Sequence, residues 1–147
     1  MPDWGPLLSP NGGTQDAIIN SLWTLPADCR IMTNQYWRGP IHDMLILILG
    51  YGAGVRMILD KRQRFLVDIQ VDELRAAGGQ VRFDKKHPAM HANTILCGDG
   101  IFWVGSYMLC DPSELKYCEC TFKHFSLTDE ATLADYFEVH WEHSVES

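Results

Sequence analysis

The residues best placed to do chemistry lie in one stretch, 90–112, which reads MHANTILCGDGIFWVGSYMLCDP. Two apolar runs, 93–97 and 101–105, are joined by Asp99-Gly100, a pair typical of tight β-hairpin turns because both turn residues need positive φ. His91 enters the first strand and Ser106 follows the second. Since a hairpin brings its ends together, we expect the imidazole and the hydroxyl to lie side by side at one edge of a sheet, as a candidate site.

The same stretch resembles the signature of the phospholipase D superfamily. That signature is His, any residue, Lys, four residues, Asp, six residues, Gly-Ser, one residue and Asn, and here His91, Gly105 and Ser106 fall in register with it. Upstream, SPNGGTQDAIINSL, GAGVRMILDKRQ and VDELRAAGGQVRFDKKHPAMHA are similar to parts of small Nuc-type endonucleases and their mitochondrial relatives. The resemblance covers residues 7–141 and implies a phospholipase D fold.

The motif departs from the family pattern at the positions that handle charge. Asn93 stands in place of the lysine and Met108 in place of the final asparagine, while Gly98 holds the aspartate position and Asp99 comes one place late. Asn93 can donate hydrogen bonds but has no charge, and Met108 has no donor. Because the spacing from histidine to serine is kept, we expect Asp99 to be a structural turn residue.

The resemblance also implies a reaction and an assembly. In the family, one histidine attacks phosphorus and forms a phosphohistidine, while a second histidine protonates the leaving oxygen and then activates water. A chain with one motif must pair two copies about a two-fold axis, so that His91 meets its symmetry mate. We therefore expect a homodimer, with Ser106 beside the phosphate and Glu119 orienting His91 by a hydrogen bond.

The altered motif makes activity the open question. Loss of one preorganised donor typically costs about 10²- to 10³-fold in rate. The favoured reading is a catalytically degenerate protein, weak or inactive as a phosphodiesterase, that acts mainly by binding. The alternative is an active phosphodiesterase or endonuclease that uses His91 from both chains. Its missing charge could come from a set of basic residues that otherwise are solvated loop residues: Lys61, Arg62, Arg64, Arg82, Lys85 and Lys86.

Composition bounds the choice of partner. The chain has 147 residues, 46% of them hydrophobic and 21% charged, which is typical of one soluble globular domain spanning 1–147. Its net charge of −7 favours a protein partner over nucleic acid, although nucleic acid stays possible, since phosphate binding relies on positive charge. Tyr36, Trp37 and Trp103 could stack on bases, but we expect them in the core or in a dimer interface.

Metals, cofactors and membranes are not expected. The histidines His87, His124, His140 and His143 are too scattered in sequence to indicate a metal site, and no feature calls for a cofactor. The five cysteines include no C-x-x-C pair, so we expect buried free thiols in a reducing cytoplasm: Cys29, Cys97, Cys110, Cys118 and Cys120. No apolar run reaches the roughly 18 residues of a membrane span, so we expect no membrane attachment.

These residues must be positioned by alternating strands and helices. We predict strands at 4–9, 29–33, 55–60, 81–83 and 117–122 besides the hairpin, and helices at 14–25, 40–49, 68–77 and from a cap at Ser126 or Thr128 to 143. A loop is expected after Asp111-Pro112. Strand–helix–strand alternation is typical of a layered α/β domain with right-handed crossovers, here a mixed sheet flanked by helices.

Overall fold

The computed structural model describes residues 5–10, 12–24 and 27–147, and its centre is a mixed sheet of seven strands. The strands are β1 Gly5–Ser9, β2 Asp28–Thr33, β3 Gly54–Asp60, β4 Gln80–Asp84, β5 Thr94–Gly98, β6 Ile101–Gly105 and β7 Glu119–Phe125. The helices are α1 Thr14–Thr24, α2 Pro40–Gly50, α3 Asp68–Ala76, α4 Asp111–Leu115 and α5 Leu127–His143, with one 3₁₀ turn at Lys61–Gln63. The predicted fold class, an α/β domain with a mixed sheet between helices, is confirmed.

The sheet combines a parallel half with an antiparallel half. Its strand order is β1-β7-β6-β5-β2-β3-β4, in which β2, β3 and β4 run parallel and the remaining neighbours are antiparallel. The parallel strands are linked through α2 and α3, as crossover connections require. Their carboxyl ends therefore meet at one edge, and the register places Asp60 of β3 opposite Asp84 of β4.

A hydrophobic core lies on each face of the sheet. Side chains alternate along a strand, so neighbouring residues of β3 such as Met57 and Ile58 enter opposite cores. The larger core packs against α1, α2 and α3, and the smaller one packs against α5 through Phe137 and Trp141. Both faces of the parallel strands are thus covered, which explains why β3 is nearly continuous apolar sequence.

The hairpin forms as its sequence predicts. Asp99 (φ 54°) and Gly100 (φ 83°) both have positive φ, and the strands pair antiparallel with a bulge between Leu96 and Gly98. The carboxylate of Glu130 on α5 accepts hydrogen bonds from the backbone N–H of Gly98 (3.0 Å) and of Gly100 (3.3 Å). The turn is therefore fastened to α5, and the open end of the hairpin faces the opposite edge of the sheet.

Two short elements differ from the predictions. The expected loop after Asp111-Pro112 contains α4, and the basic run after β3 begins with the 3₁₀ turn, in which the side chain of Asp60 accepts a hydrogen bond from the backbone of Arg62. Segments of five and three residues are too short to show a hydrophobic period, so the sequence pattern did not indicate them. The predicted strand start at residue 4 and helix end at residue 25 lie outside the described residues.

Candidate functional site

The open end of the hairpin lines a cleft of about 480 Å³. Side chains from three parts of the chain surround it: Asn34 after β2, His91 and Asn93 before β5, and Gly105, Ser106 and Met108 after β6. The structure thus brings His91 and Ser106 together, as the hairpin argument predicts. The cleft is also lined by Asn93 and Met108, the two positions at which the sequence departs from the resembled signature.

A guanidinium contacts the histidine of this cleft. Arg62 Nη2 lies 3.2 Å from His91 Nε2, and the same side chain donates from Nε and Nη2 to the two carboxylate oxygens of Asp60, each at 2.9 Å. A guanidinium can only donate, so in this contact His91 Nε2 accepts and the neutral ring carries its proton on Nδ1. That tautomer leaves a lone pair on the nitrogen that faces the cation.

Asp60 organises both partners of that contact. Its side chain is fully buried at the end of β3, where it also accepts hydrogen bonds from the backbone N–H of Arg62 (2.8 Å) and of Met90 (2.6 Å), the residue before His91. Burial by itself would raise the pKa of Asp60, but these hydrogen bonds and the guanidinium hold it below its usual value. One ionised carboxylate therefore positions both the cation and the histidine.

The side-chain amide of Asn93 forms hydrogen bonds to neighbouring parts of the same chain. Its Oδ1 accepts hydrogen bonds from the backbone N–H of Asn34 (3.0 Å) and the hydroxyl of Thr33 (3.3 Å), and its Nδ2 donates to the carbonyl of His91 (3.2 Å). The side chain therefore fixes the entry to β5. It stabilises the shape of the cleft and supplies no charge to it.

Ser106 and Glu119 make other contacts than the family resemblance implies. The Ser106 hydroxyl accepts from the backbone N–H of Cys120 (3.1 Å) and donates to its carbonyl (3.4 Å). Glu119 is buried at the start of β7, where it accepts from the hydroxyl of Ser113 (3.4 Å). In the described part of the chain no hydrogen bond joins Glu119 to His91, so their pairing stays a prediction.

Most of the other basic residues lie away from the cleft. Arg64 stacks on the ring of Phe65 (5.6 Å), Arg82 stacks on Trp141 (4.3 Å), and Lys85 donates to the carbonyl of Ser147. Lys61 and Lys86 have no described side-chain contact with a cleft residue. Of the predicted anion-binding set, Arg62 is the member that hydrogen-bonds a cleft residue among the described residues.

The late histidines are not scattered in space, which corrects the sequence-based argument against a metal site. His87, His140 and His143 lie together with Asp84, and one ligand atom of each falls within 4.8 Å of all the others. His124 lies apart on β7, where it stacks on Phe102 (5.2 Å). The cluster joins residues 84–87 to residues 140–143, a separation that no local spacing rule detects.

The remaining expectations concern the burial of aromatic residues and cysteines, and the structure confirms only some of them. Tyr36 and Trp103 are core residues as predicted, whereas Trp37 is exposed. All the cysteines are free thiols, but only three of them are buried (Cys29, Cys97, Cys110), and the expectation of burial is wrong for Cys118 and Cys120. No helix in the described ranges combines the length and the apolar character needed to cross a bilayer.

Asp60, Asp84 and Asn34 were missed by the sequence analysis. The first two share a signal that could have found them, because each ends a buried parallel strand and each precedes a basic or imidazole side chain by two or three residues. Ligand-binding residues of open α/β sheets concentrate at that edge. Asn34 follows β2 at the same edge and has no further signal in the sequence.

Comparisons with known proteins show likeness in structure only. No protein-family model and no curated protein sequence matches the chain. Nuc from Salmonella typhimurium, described as a phospholipase D family member, superposes with a TM-score of 0.90 at 16% identity, over 97% of this chain and 96% of Nuc. NucT from Helicobacter pylori gives 0.80 at 13% identity, over 99% and 100% of the two chains. Phosphatidylserine synthase from Haemophilus influenzae gives 0.72 at 11% identity, over 95% of this chain and 39% of the synthase.

The superpositions on Nuc and NucT span nearly the whole of this chain and nearly the whole of both neighbours. At these identities the likeness concerns the fold, whose core in this chain is the seven-stranded mixed sheet. The resemblance drawn from the sequence is therefore confirmed at the level of the fold: the chain has the phospholipase D fold, in the form seen in Nuc.

Proposed function

We propose that the cleft binds a phosphodiester and hydrolyses it slowly through His91, with Arg62 supplying the positive charge that the altered motif lacks. The observation that carries this proposal is the 3.2 Å contact between Arg62 Nη2 and His91 Nε2. A cation so close to the attacking nitrogen would also lie beside the oxygens of a phosphorus bound there. Two hydrogen bonds to Asp60 hold the guanidinium, so it stays beside the cleft when its contact with His91 Nε2 opens and that lone pair turns to phosphorus.

The proposed reaction has two steps. His91 Nε2 attacks phosphorus, so that a P–N bond forms while the P–O bond to the leaving group breaks, and the leaving oxygen takes a proton from the His91 of a second copy. Water then attacks the phosphohistidine, its proton passes to the second imidazole, and the P–N bond breaks. Because one chain has one such histidine in its cleft, the reaction needs a homodimer, which we propose as the active assembly.

The charge balance argues for slow turnover. The Arg62 side chain is half exposed and its charge is opposed by the ionised Asp60, so its field in the cleft is weaker than that of an unpaired buried cation. Its Nη1 donates no hydrogen bond among the described residues, and so can bind a phosphate oxygen. Met108, which lines the cleft, contributes no hydrogen-bond donor to it. Binding of an anion is thus better supported than stabilisation of its transition state.

A binding role without turnover is the second candidate. It is favoured by Asn93, whose amide is bonded within the chain, and by Met108, which places an apolar side chain on the cleft wall. The net charge of −7 would then favour a protein as the bound partner. This candidate keeps the fold and the dimer but makes His91 a remnant of the reaction.

Turnover and binding assays separate the two candidates. Purified protein in chelator is incubated with bis-p-nitrophenyl phosphate, single-stranded DNA and RNA, beside His91→Ala and the matched control His124→Ala. The proposal predicts slow release of product that disappears in His91→Ala and persists in His124→Ala. Protein quenched in alkaline denaturant should carry a phosphohistidine, because the P–N bond is labile in acid but survives in alkali, and light scattering should give a dimer.

Each other outcome has a stated meaning. Binding of DNA that depends on Arg62 without any turnover supports a binding role, with nucleic acid and not protein as the partner. If the protein neither hydrolyses nor binds any of these phosphodiesters, the proposal is overturned. Turnover that survives in His91→Ala also overturns it, because the product then comes from a different group or a contaminant.

A further inference from the structure

We propose that Asp84, His87, His140 and His143 form a zinc site that fastens the end of α5 to the segment leading to His91. This inference rests on the histidine cluster and is independent of the reaction proposed for the cleft. The cluster lies outside that cleft, between the carboxyl end of β4 and the last turn of α5. It offers three imidazoles and one carboxylate, all of which are ligands that Zn²⁺ takes in proteins.

The ligand atoms already stand close to the spacing of a tetrahedral ion. His140 Nδ1 and His143 Nε2 are 3.2 Å apart, His143 Nε2 is 3.5 Å from Asp84 Oδ1, and His87 Nδ1 is 2.8 Å from Asp84 Oδ2. Zn–N bonds of about 2.0–2.1 Å place two ligand atoms of a tetrahedron roughly 3.3 Å apart. The widest separation in the cluster is within 4.8 Å, so small side-chain rotations would close it.

The surroundings hold the ligands in place without an ion. Asp84 is buried, and its Oδ1 accepts from the backbone N–H of Lys86 (3.0 Å) and of His87 (3.4 Å). His140 and His143 are one helical turn apart on α5, so they share a face of the helix.

Four protein ligands fill a tetrahedral shell and leave no position for substrate, so the site is structural. Its effect would reach the cleft through the backbone. A cavity of about 150 Å³ is lined by Asp84, His87 and His140 and also by His91. Next to the cluster, Phe83 and Val145 exchange backbone hydrogen bonds, at 2.6 and 3.0 Å. The ion would strengthen a join between β4 and the chain end that already exists.

The test is metal binding by the intact chain, with Zn²⁺ and with Co²⁺ as a visible probe. The variants are His87→Ala, whose side chain is partly exposed, and His143→Ala, with His124→Ala as a matched control. A further control, Cys118→Ser with Cys120→Ser, removes the exposed thiols that could capture zinc. Circular dichroism of each metal-free variant establishes that it is folded.

We expect one Zn²⁺ per chain, a Co²⁺ spectrum typical of tetrahedral nitrogen and oxygen ligands, and affinity at least about 100-fold weaker in both cluster variants. Both controls should bind as the wild type does. Failure of the wild type to bind zinc stoichiometrically overturns the proposal. Unchanged affinity in folded His87→Ala or His143→Ala, or loss of binding in the cysteine control, overturns it as well.

Discussion

Asp60 and Asp84 are neighbours in register at the carboxyl ends of adjacent parallel strands, yet they organise different surroundings. Both are buried, and both have pKa values that hydrogen bonds hold below the usual range against the opposing effect of burial. Asp60 binds Arg62 and the backbone before His91. Asp84 binds His87 and lies 3.5 Å from His143. A buried, hydrogen-bonded carboxylate at a strand end therefore underlies both proposed sites.

The difference lies in the partner of each carboxylate. Arginine stays charged at every physiological pH and cannot bind a metal, so the Asp60 end is a permanent ion pair that suits an anion beside it. Imidazoles are neutral above their pKa and have a lone pair, so the Asp84 end suits a cation. Side-chain chemistry two or three residues beyond the strand thus decides which ligand the same edge of the sheet attracts.

The largest expected effect comes from removing the cation that is paired with Asp60. Arg62→Gln should lower kcat/KM for a phosphodiester by about 10²-fold, the lower end of the range for a lost donor, because the side chain is half exposed to water. Arg64→Gln makes the same charge change two residues away, where the guanidinium stacks on Phe65, and should leave kcat/KM unchanged. If kcat/KM fell equally in the two variants, the effect would come from the net charge of the protein and not from the contact between Arg62 and His91.

A second prediction concerns stability. Asp60→Asn should lower the free energy of unfolding by about 2–4 kcal/mol, because an amide cannot satisfy both Met90 N–H and the guanidinium. Asp84→Asn in zinc-free protein should lower it by only about 1–2 kcal/mol, since its partner His87 is partly exposed. Urea denaturation measures both, with exposed Asp135→Asn as the control. A reversed order would contradict the central role given to Asp60.

Zinc should affect the surroundings of Asp84 but not those of Asp60. At a free concentration of about 100 times Kd, a bound ion raises the free energy of unfolding by about 2.7 kcal/mol. Thermal unfolding should show this stabilisation in wild type and Arg62→Gln alike, but not in His143→Ala. Zinc should not restore the turnover lost in Arg62→Gln. Restoration would show that the metal acts in the cleft and not as a structural tie.

The smallest expected effect is a change in the free energy of unfolding at low pH. The pKa of Asp60 lies below its ordinary value of 3.8, so the unfolded chain takes up this proton first as the pH falls. The stability due to the ionised carboxylate is therefore fully present above about pH 4 and is lost as the pH falls through the lowered pKa. The stability difference between wild type and Asp60→Asn should shrink as the pH falls below about 4. A constant difference would mean that the charge of Asp60 is not what stabilises the protein.

Sequence reasoning captured the parts of the fold that depend on local pattern. The hairpin followed from Asp99-Gly100, because few residues tolerate positive φ. The cleft followed from the spacing between His91 and Ser106, since the length of a hairpin fixes which residues meet at its open end. Helix α5 was predicted with a cap at Ser126 or Thr128, and the structure selects Ser126, whose side chain accepts a hydrogen bond from the backbone of Asp129 (3.1 Å).

Contacts between distant segments could not be predicted in the same way. Arg62 reaches His91 across 29 positions of sequence, and the histidine cluster joins β4 to the last turn of α5. Which of several basic residues reaches the cleft depends on side-chain direction at the end of β3, which the buried Asp60 determines. A pattern of residue types contains no information about that direction until the register of the parallel strands is known.

The central claim is that Arg62 takes the place of the lysine in the resembled signature. The most direct test removes the charge at residue 62 and introduces a lysine at residue 93. Kinetics of bis-p-nitrophenyl phosphate hydrolysis are compared in wild type, Arg62→Gln and the double variant Arg62→Gln/Asn93→Lys, each verified as folded. The account predicts that turnover falls in the single variant and returns, at least in part, when Asn93→Lys restores a cation beside His91. Unchanged turnover in Arg62→Gln, or a loss that Asn93→Lys does not relieve, would contradict it.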